Sequence, residues 1–383
     1  MSRTIEILDR LIAFPTVSRD SNLDLIRDVE GFLAALGVDS RLVFDDEGRK
    51  ANLFATIGPK DAPGIMLAGH TDVVPVDGQA WTSDPFRLIR RDGKLYGRGT
   101  ADMKGFIAAC LALAEQAVRQ PLATPIHLAL SYDEEIGCVG VRRLIDLLAG
   151  LGIRPKACIV GEPTGMQVVV AHKGKTAVRA HCHGLECHSS LAPLGLNAIH
   201  LAADLIGALR HQQAALLAGG ARDRDYDVDH STIHVGTIRG GTALNIVPKD
   251  CSLDFEIRHL PGDALEPILG AIEAAAAAIE RAAKADFPDA EIRFETISAY
   301  PALETSPDAE IVAFAKALTG GNSIGKISFG TEGGLYQRDL HTPTVVCGPG
   351  HIADAHKPDE FVSEEQLAAC DHFLAGMLAL LRG

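Results

Sequence analysis

Residues 65–72 read IMLAGHTD, an apolar run that ends in a histidine and an aspartate two positions apart. Three further apolar runs also precede polar side chains at or near their ends: residues 125–131, 157–160 and 343–347. Short apolar runs that alternate with helical patterns are typical of buried parallel strands. Because open α/β sheets bind ligands beyond the carboxyl ends of their strands, we expect these polar side chains to meet at one edge of a sheet.

The side chains expected at this edge are imidazoles and carboxylates, which are ligands that zinc takes in proteins. They are His70, Asp72, Asp102, Glu134, Glu135, Glu162 and His356. Asp72 lies two positions from His70, so it can accept the second ring N–H of that histidine without binding metal itself. Of the consecutive Glu134 and Glu135, one can face a metal while the other faces an attacking water. The pattern therefore predicts a site for a pair of divalent cations.

Each of these motifs also has an ordinary structural interpretation. A lone His-x-Asp is more often a surface pair, and residues 133–135 resemble a solvated acidic turn. Asp102 lies in the stretch 97–105, GRGTADMKG, and by itself is better explained as a helix N-cap, although a cap can also be a ligand. The Gly-x-Gly of this stretch lacks the third glycine of a dinucleotide-binding loop, because Asp102 stands in its place.

The order of the predicted elements divides the chain into three segments. Residues 1–174 alternate helices and strands, as in a sheet with helices on its faces. Residues 175–296 follow the ferredoxin-like order β-α-β-β-α-β and form an inserted domain. Residues 297–383 complete the first domain, with Ser363 and Gln366 as a capping box for the last helix. We therefore predict an α/β protein with a mixed, mostly parallel sheet and an inserted ferredoxin-like lid.

Composition argues against several classes of partner. Thirty-six Lys and Arg against 50 Asp and Glu give a formal net charge of −14, which repels nucleic-acid phosphates and anionic lipid. Residues 1–14 predict a charged amphipathic helix, unlike the apolar core of a secretion signal. No charge-free apolar run reaches the roughly 18 residues of a membrane span. We therefore expect free thiols at the eight cysteines and a cytoplasmic location.

Taken together, the motifs resemble a family of dinuclear zinc hydrolases that includes acetylornithine deacetylases, succinyl-diaminopimelate desuccinylases, aminoacylases and carboxypeptidases. The resemblance covers almost the whole chain. Its blocks are residues 69–75, 97–105, 133–137, 161–164 and 347–361. It implies a catalytic domain like those of the zinc exopeptidases and two divalent metal ions, zinc or, as an alternative, cobalt.

The resemblance also implies a role for each candidate ligand. His70 and Glu162 would hold one metal ion, while Glu135 and His356 would hold the other. Asp102 would bridge the two ions. Paired ions of this kind can share a nucleophile and a developing oxyanion.

The remaining residues of the predicted site would serve the reaction itself. By resemblance, Asp72 supports His70 and Glu134 is the general base. A metal-bridging hydroxide would attack an amide carbonyl after Glu134 takes a proton from the bridging water, and the same residue would then give that proton to the departing amine. No nucleophilic serine or cysteine is needed.

The inserted domain contains a histidine-rich and cysteine-rich run at residues 181–188, HCHGLECH. A further zinc site is a weaker interpretation, because alternate residues of a strand face opposite ways and the spacing fits no familiar finger. The resemblance assigns a role only to His188, as a lid histidine that helps to stabilise the oxyanion. In such enzymes this histidine can reach the site of the partner subunit, which implies a homodimer through the lid.

Two more residues of the insert, Asn245 and Arg258, would lie at the substrate end of the lid by resemblance. The forked guanidinium of Arg258 suits the α-carboxylate of an N-acyl amino acid. The alternative is that Arg258 pairs with Asp254 or Glu256 on the surface of the sheet.

The loop at residues 329–334, FGTEGG, resembles that of the acetylornithine-deacetylating members. This implies hydrolysis of N2-acetyl-L-ornithine to ornithine and acetate, a step of arginine synthesis. Glu332 of this loop could meet the ornithine ammonium, or it could be an ordinary salt-bridged loop residue. The alternatives within the family are another N-acyl-amino-acid deacylase, a desuccinylase or a carboxypeptidase-like peptidase. Outside enzymes, the alternative is a metal-free relative that only binds amino acids.

Overall fold

The computed structural model describes residues 2–382. Its helices are α1 (Arg3–Ile12), α2 (Leu23–Ala35), α3 (Lys104–Ala117), α4 (Val141–Gly150), α5 (Ala198–Gly219), α6 (Leu265–Lys284), α7 (Glu310–Thr319), α8 (Gly333–Leu340) and α9 (Glu364–Leu380). Its strands are β1 (Ser40–Phe44), β2 (Ala51–Ile57), β3 (Ile65–His70), β4 (Ile89–Arg91), β5 (Lys94–Tyr96), β6 (Ile126–Ser131), β7 (Ala157–Pro163), β8 (Val169–His172), β9 (Gly174–His183), β10 (Thr232–Gly240), β11 (Asp250–His259), β12 (Glu291–Tyr300), β13 (Leu303–Glu304), β14 (Gly325–Ile327), β15 (Thr344–Gly348) and β16 (Phe361–Ser363).

The chain separates into two compact units. The first contains residues 2–171, 303–326 and 331–382, and the second contains residues 172–302 and 327–330. The first unit is therefore built from chain segments that precede and follow most of the second unit in the sequence. The sequence placed the insert at residues 175–296, a few residues inside these limits, and assigned no part of it to residues 327–330.

A large mixed sheet lies mainly in the first unit, with the strand order β1-β2-β6-β3-β7-β15-β8-β13 and with β14 paired to β8. Its four central strands, β6, β3, β7 and β15, run parallel to one another. Antiparallel pairs join β1 to β2, β2 to β6, and β8 to β15. The predicted fold class, a mixed and mostly parallel sheet with flanking helices, is confirmed.

The central strands are continuous apolar runs because helices cover both faces of a parallel sheet. Every residue of β3, β6, β7 and β15 is buried. The helix α3 has twelve buried residues and packs against β3 and β7 of this sheet and against α1 and α9. This rigid core fixes the positions of the strand ends.

Strand register brings the functional side chains to one end of the sheet. His70 is the last residue of β3 and lies opposite Ser131, the last residue of β6. Gly348, at the end of β15, lies opposite Pro163 at the end of β7. Because these four strands are parallel, the segments that follow them leave the sheet at the same edge.

The second unit has the predicted order β-α-β-β-α-β, from β9 through α5, β10, β11 and α6 to β12. Its four-stranded antiparallel sheet has the order β10-β11-β9-β12. Residues of β9 alternate strictly between buried and half-buried, as expected for a sheet with helices on one face. Its core includes Val178, Leu205, Leu253, Phe255 and Ile272.

None of the helices within residues 2–382 combines the length and hydrophobicity that a membrane span requires.

Candidate metal centre

Two of the predicted ligands come directly from parallel strands. His70 ends β3 and is 1% exposed, and Glu162 lies near the end of the adjacent β7 and is also buried. The ring Nε2 of His70 lies 3.6 Å from Glu162 Oε1. An imidazole and a carboxylate therefore face each other in a buried position.

Asp102 joins this pair from the loop that precedes α3. Its Oδ1 lies 2.9 Å from Nε2 of His70, while its Oδ2 lies 3.1 Å from Nε2 of His356. Asp102 is not the N-cap of α3, because the helix begins at Lys104, its cap position is Met103, and no side chain caps it. The interpretation of Asp102 as a cap is therefore wrong, since its carboxylate oxygens are turned toward two histidines.

His356 follows β15 and brings a second carboxylate into contact. Its Nε2 lies 3.2 Å from Oε1 of Glu135, which belongs to the turn after β6. The His356 side chain is 47% exposed, whereas Glu135 and Asp102 are nearly covered. This side of the centre is therefore open to solvent.

The ligand atoms fall into two groups that share Asp102. His70, Asp102 and Glu162 form one group, and Asp102, Glu135 and His356 form the other, with the ligand atoms in each lying within 4.8 Å of one another. Each group offers three nitrogen or oxygen ligands, which suits a catalytic zinc ion with a position left open. The three carboxylates carry less negative charge than two dications carry positive charge. The residues present therefore fit a pair of divalent ions.

The protonation of these groups reflects the crowding of negative charge around two imidazoles. Hydrogen bonds to Asp102 and Glu135 raise the pKa of His356 to about 10. Burial, together with the charge of Asp102, raises the pKa of Glu135 to about 7. Burial and then the charge of Asp102 also raise the pKa of Glu162. A bound dication would favour the ionised form of both carboxylates and so oppose these shifts.

Asp72 holds three parts of this centre together. Ser18 Oγ donates to its carboxylate at 2.7 Å, as do the backbone N–H groups of Glu134 and Glu135 at 3.1 and 3.3 Å. The ring Nδ1 of His70 lies 2.9 Å from the backbone carbonyl of Asp72 and 3.6 Å from its carboxylate. The backbone carbonyl is therefore the closer partner of the ring, and the carboxylate mainly fixes the turn at Glu134.

Glu134 is a half-buried residue beside the centre whose carboxylate belongs to neither ligand group. Burial, with further effects of Glu135 and Glu332, raises its pKa well above the usual value, against an opposing effect of His70. The thiol of Cys138 donates to its Oε1 at 3.3 Å. A carboxylate with a raised pKa can both accept and return a proton near neutral pH.

Glu332 is more buried than the sequence predicted for a substrate contact. It is 1% exposed, and neither of its carboxylate oxygens has a hydrogen-bond partner within residues 2–382. The hydroxyl of Tyr336 is likewise buried without a partner within residues 2–382, while the nearby Ser131 hydroxyl lowers the pKa of Glu332 against the larger effect of burial. Burial raises the pKa of Glu332 to about 7. The predicted contact between Glu332 and a substrate ammonium stays a prediction.

His188, Asn245 and Arg258 all lie in the second unit. The ring Nδ1 of His188 lies 2.8 Å from Ser190 Oγ, and Asn245 is exposed. Arg258 donates through Nε to Oε1 of Glu256 at 2.8 Å, the pairing that the sequence left open as an alternative. The substrate roles of these three residues stay predictions.

The histidine-rich run of the second unit does not gather a further set of ligands. His181 pairs with Glu295, and His183 pairs with Asp250. In the part of the chain that the structure describes, the groups of three or more candidate ligands are the two that share Asp102.

Sequence reasoning missed Glu360, which lies just before β16 and is fully buried beside the Asp102 loop. Its carboxylate pairs with Arg98 at 2.6 Å. Arg98 belongs to the GRG motif, but Glu360 lies in a short polar segment that carries no signal of burial.

A mixed sheet whose parallel central strands gather imidazoles and carboxylates into two groups around a shared aspartate is typical of metal-dependent hydrolases. The model of peptidase family M20/M25/M40 matches residues 66–380. The chain belongs to this family, and it is a metal-dependent hydrolase.

Known proteins with similar sequences and structures agree with this assignment. An acetylornithine deacetylase of Klebsiella pneumoniae (strain 342) is 36% identical over 366 residues, covering 94% of this chain and 92% of the relative. The M20 metallo-carboxypeptidase Sso-CP2 from Sulfolobus solfataricus has a TM-score of 0.81 at 19% identity, with full coverage of both chains. Human carnosine dipeptidase 1 has a TM-score of 0.74 at 16% identity, covering 99% of this chain and 96% of that chain. At these identities the two solved structures establish a shared fold.

Proposed function

We propose that this protein hydrolyses N2-acetyl-L-ornithine to L-ornithine and acetate, a step of arginine synthesis. The observation that best supports a hydrolytic function is the position of the Asp102 carboxylate between two histidines. Its Oδ1 lies 2.9 Å from Nε2 of His70, and its Oδ2 lies 3.1 Å from Nε2 of His356. The substrate is supported by 36% identity to an acetylornithine deacetylase along nearly the whole chain.

In this proposal the two groups each hold one divalent ion. His70 and Glu162 serve the first ion, Glu135 and His356 serve the second, and Asp102 serves both. Zinc is the expected metal and cobalt an alternative, because both accept imidazole and carboxylate ligands. When bound, such ions polarise a carbonyl and lower the pKa of water.

Glu134 is the proposed general base and acid. Its carboxylate takes a proton from the attacking water and then delivers it to the nitrogen of the departing amine. Cys138 donates to one of its oxygens, and Asp72 holds its backbone N–H. These contacts fix the carboxylate, so that the same residue can serve both proton transfers without moving far.

The second unit supplies the proposed substrate contacts. Arg258 would bind the α-carboxylate, with Asn245 beside it, and His188 would stabilise the developing oxyanion. The guanidinium of Arg258 already forms a hydrogen bond with Glu256. Because this bond restricts the rotamers of Arg258, substrate binding would cost less side-chain entropy.

We also propose a homodimer through the second unit. Its strand β10 is an edge strand with the exposed Ile238, and the exposed Leu244 follows it. An unpaired strand edge beside apolar side chains suits pairing with another strand. A cytoplasmic location is supported by the eight cysteines, all of which are free thiols.

The test is a panel of N-acetyl, N-succinyl and N-formyl amino acids assayed with added zinc or cobalt. The expected result is the highest kcat/KM on N2-acetyl-ornithine, with N2-acetyl-norvaline as an uncharged control of similar shape. Preference for a succinyl substrate or for a peptide would replace the proposed substrate. An absence of turnover together with ligand binding would indicate an amino-acid-binding protein.

A further inference from the structure

Glu360 binds the backbone of the loop that carries Asp102. Its Oε1 accepts hydrogen bonds from the backbone N–H groups of Gly99, Ala101 and Asp102 at 3.0, 3.0 and 3.1 Å. Its own backbone carbonyl accepts from the N–H of Gly97 at 2.9 Å. One buried residue therefore fixes the path of the chain that leads up to the shared ligand.

The other oxygen of Glu360 leads to the segment that carries His356. Its Oε2 accepts from the guanidinium of Arg98 at 2.6 Å, and Arg98 also donates to the side chain of Gln79 at 2.6 Å. Gln79 then donates through Nε2 to the backbone carbonyl of His356 at 3.2 Å. Arg98 makes a longer contact, 3.4 Å, with the carbonyl of Lys357.

We propose that Glu360 is a positioning residue that sets the place of Asp102 relative to His356. This inference rests on the proposed two-metal function. Glu360 does not touch the ligand atoms; it acts through the Asp102 loop on one side and through Arg98 and Gln79 on the other. Since Asp102 belongs to both groups, Glu360 controls the binding of both ions.

A carboxylate is required because its two oxygens serve two sets of donors. Three N–H groups face one oxygen and a guanidinium faces the other. A glutamine at this position has one accepting oxygen and one donating NH₂ group. Its NH₂ group would then face either the N–H groups of the loop or the guanidinium of Arg98, which are donors themselves. Leaving such a buried donor without an acceptor raises the free energy of the folded state.

The alternative is that Glu360 and Arg98 form a buried ion pair that only stabilises the fold. Such a pair would change the thermal stability of the metal-free protein and leave its affinity for metal unchanged. A positioning role changes the affinity for metal, because outer partners of metal ligands typically contribute about 10- to 100-fold. Metal binding and melting of the metal-free protein therefore distinguish the two.

The experiment titrates the full-length, metal-free protein with Zn²⁺ by calorimetry and with Co²⁺ by visible absorption. Glu360→Gln should weaken both binding steps by roughly 10- to 100-fold and alter the Co²⁺ spectrum. Glu162→Gln, which removes the negative charge from a ligand of one group only, should weaken one step much more than the other. Asp371→Asn is the matched control, because this carboxylate is partly buried in α9 with Thr4 as its partner.

The result that overturns the proposal is a Glu360→Gln protein in which neither step, or only one step, is weakened. If that variant fails to fold, Arg98→Lys replaces it. This change keeps the charge but cannot reach Glu360 and Gln79 together, and unchanged metal affinity would again refute the role. A wild-type protein that binds fewer than two ions would instead refute the proposed function, so the two failures are distinguishable.

Discussion

The substitution Glu332→Gln gives a test of the buried carboxylate next to the metal centre. Glu332 is 1% exposed and has no hydrogen-bond partner among the described residues, and burial raises its pKa from 4.5 to about 7. The folded protein therefore holds a proton at Glu332 over a pH range in which the unfolded chain has lost it. Between these two values, stability falls as pH rises, because the folded state binds more protons.

The size of this effect follows from the two pKa values. Each unit between them is worth about 1.4 kcal/mol, so ionised Glu332 costs the folded state about 3 kcal/mol above pH 7. The cost is almost absent below pH 4.5 and grows between 4.5 and about 7. Between pH 5 and pH 8 the change is about 2.5 kcal/mol. Glutamine does not ionise, so the variant lacks this loss.

The assay is urea unfolding of the metal-free wild type and of Glu332→Gln at pH 5 and pH 8. Relative to the wild type, the variant should gain about 2.5 kcal/mol of unfolding free energy between these pH values. Glu304→Gln, at an exposed position of β13, should show a much smaller change. A difference between wild type and Glu332→Gln that stays constant with pH would refute the reasoning, whatever its size.

Four further predictions concern the centre and the substrate. Glu134→Gln should retain both metal ions by elemental analysis and lose about 10²- to 10⁴-fold in kcat; near-normal turnover would remove it as the base. Asp102→Asn offers one ligand oxygen instead of two, so bound metal should fall from two equivalents to about one, and two retained equivalents would argue against sharing. Chelation should abolish turnover, and zinc or cobalt should restore it; activity that survives chelation contradicts a metal requirement. Arg258→Ala should raise KM for N-acetyl amino acids about 10- to 100-fold, the value of a charged hydrogen bond, whereas unchanged KM would mean that Arg258 only pairs with Glu256.

The fold was predictable because each buried central strand coincides with a short run of apolar residues in the sequence. The apolar runs at residues 65–68 and 157–160 lie within β3 and β7. The ferredoxin-like order of the second unit was visible in the alternation of its elements. Strand limits are harder to predict: the sequence of residues 245–258 favours one continuous strand, whereas β11 begins at Asp250. Exposed turns next to strand ends share much of the composition of the strands.

The site was predictable where the residue types of a motif indicate metal binding by themselves. It was not predictable where contacts with residues distant in sequence outweigh the local conformational preference. At Asp102 the local preference was an N-cap, which is worth about 1 kcal/mol. Contacts with His70 and His356 decide its orientation instead, and neither histidine is near it in sequence. Ser363 caps α9 as predicted, but Gln366 accepts from the N–H of Gly350, a partner that the capping-box pattern does not include.

The strand order of the large sheet affects how the protein is made on the ribosome. The strand β15 lies between β7 and β8, although both of those are synthesised before it. Roughly 180 residues separate the end of β7 from β15, which takes about 10 to 35 s at ordinary rates of translation. During this interval the nascent sheet has a gap between β7 and β8, and the whole of the second unit is synthesised within it. A chain released early, before His356, would lack one ligand of the second group and so could not complete the candidate metal centre, although Asp102 and Glu135 would be present.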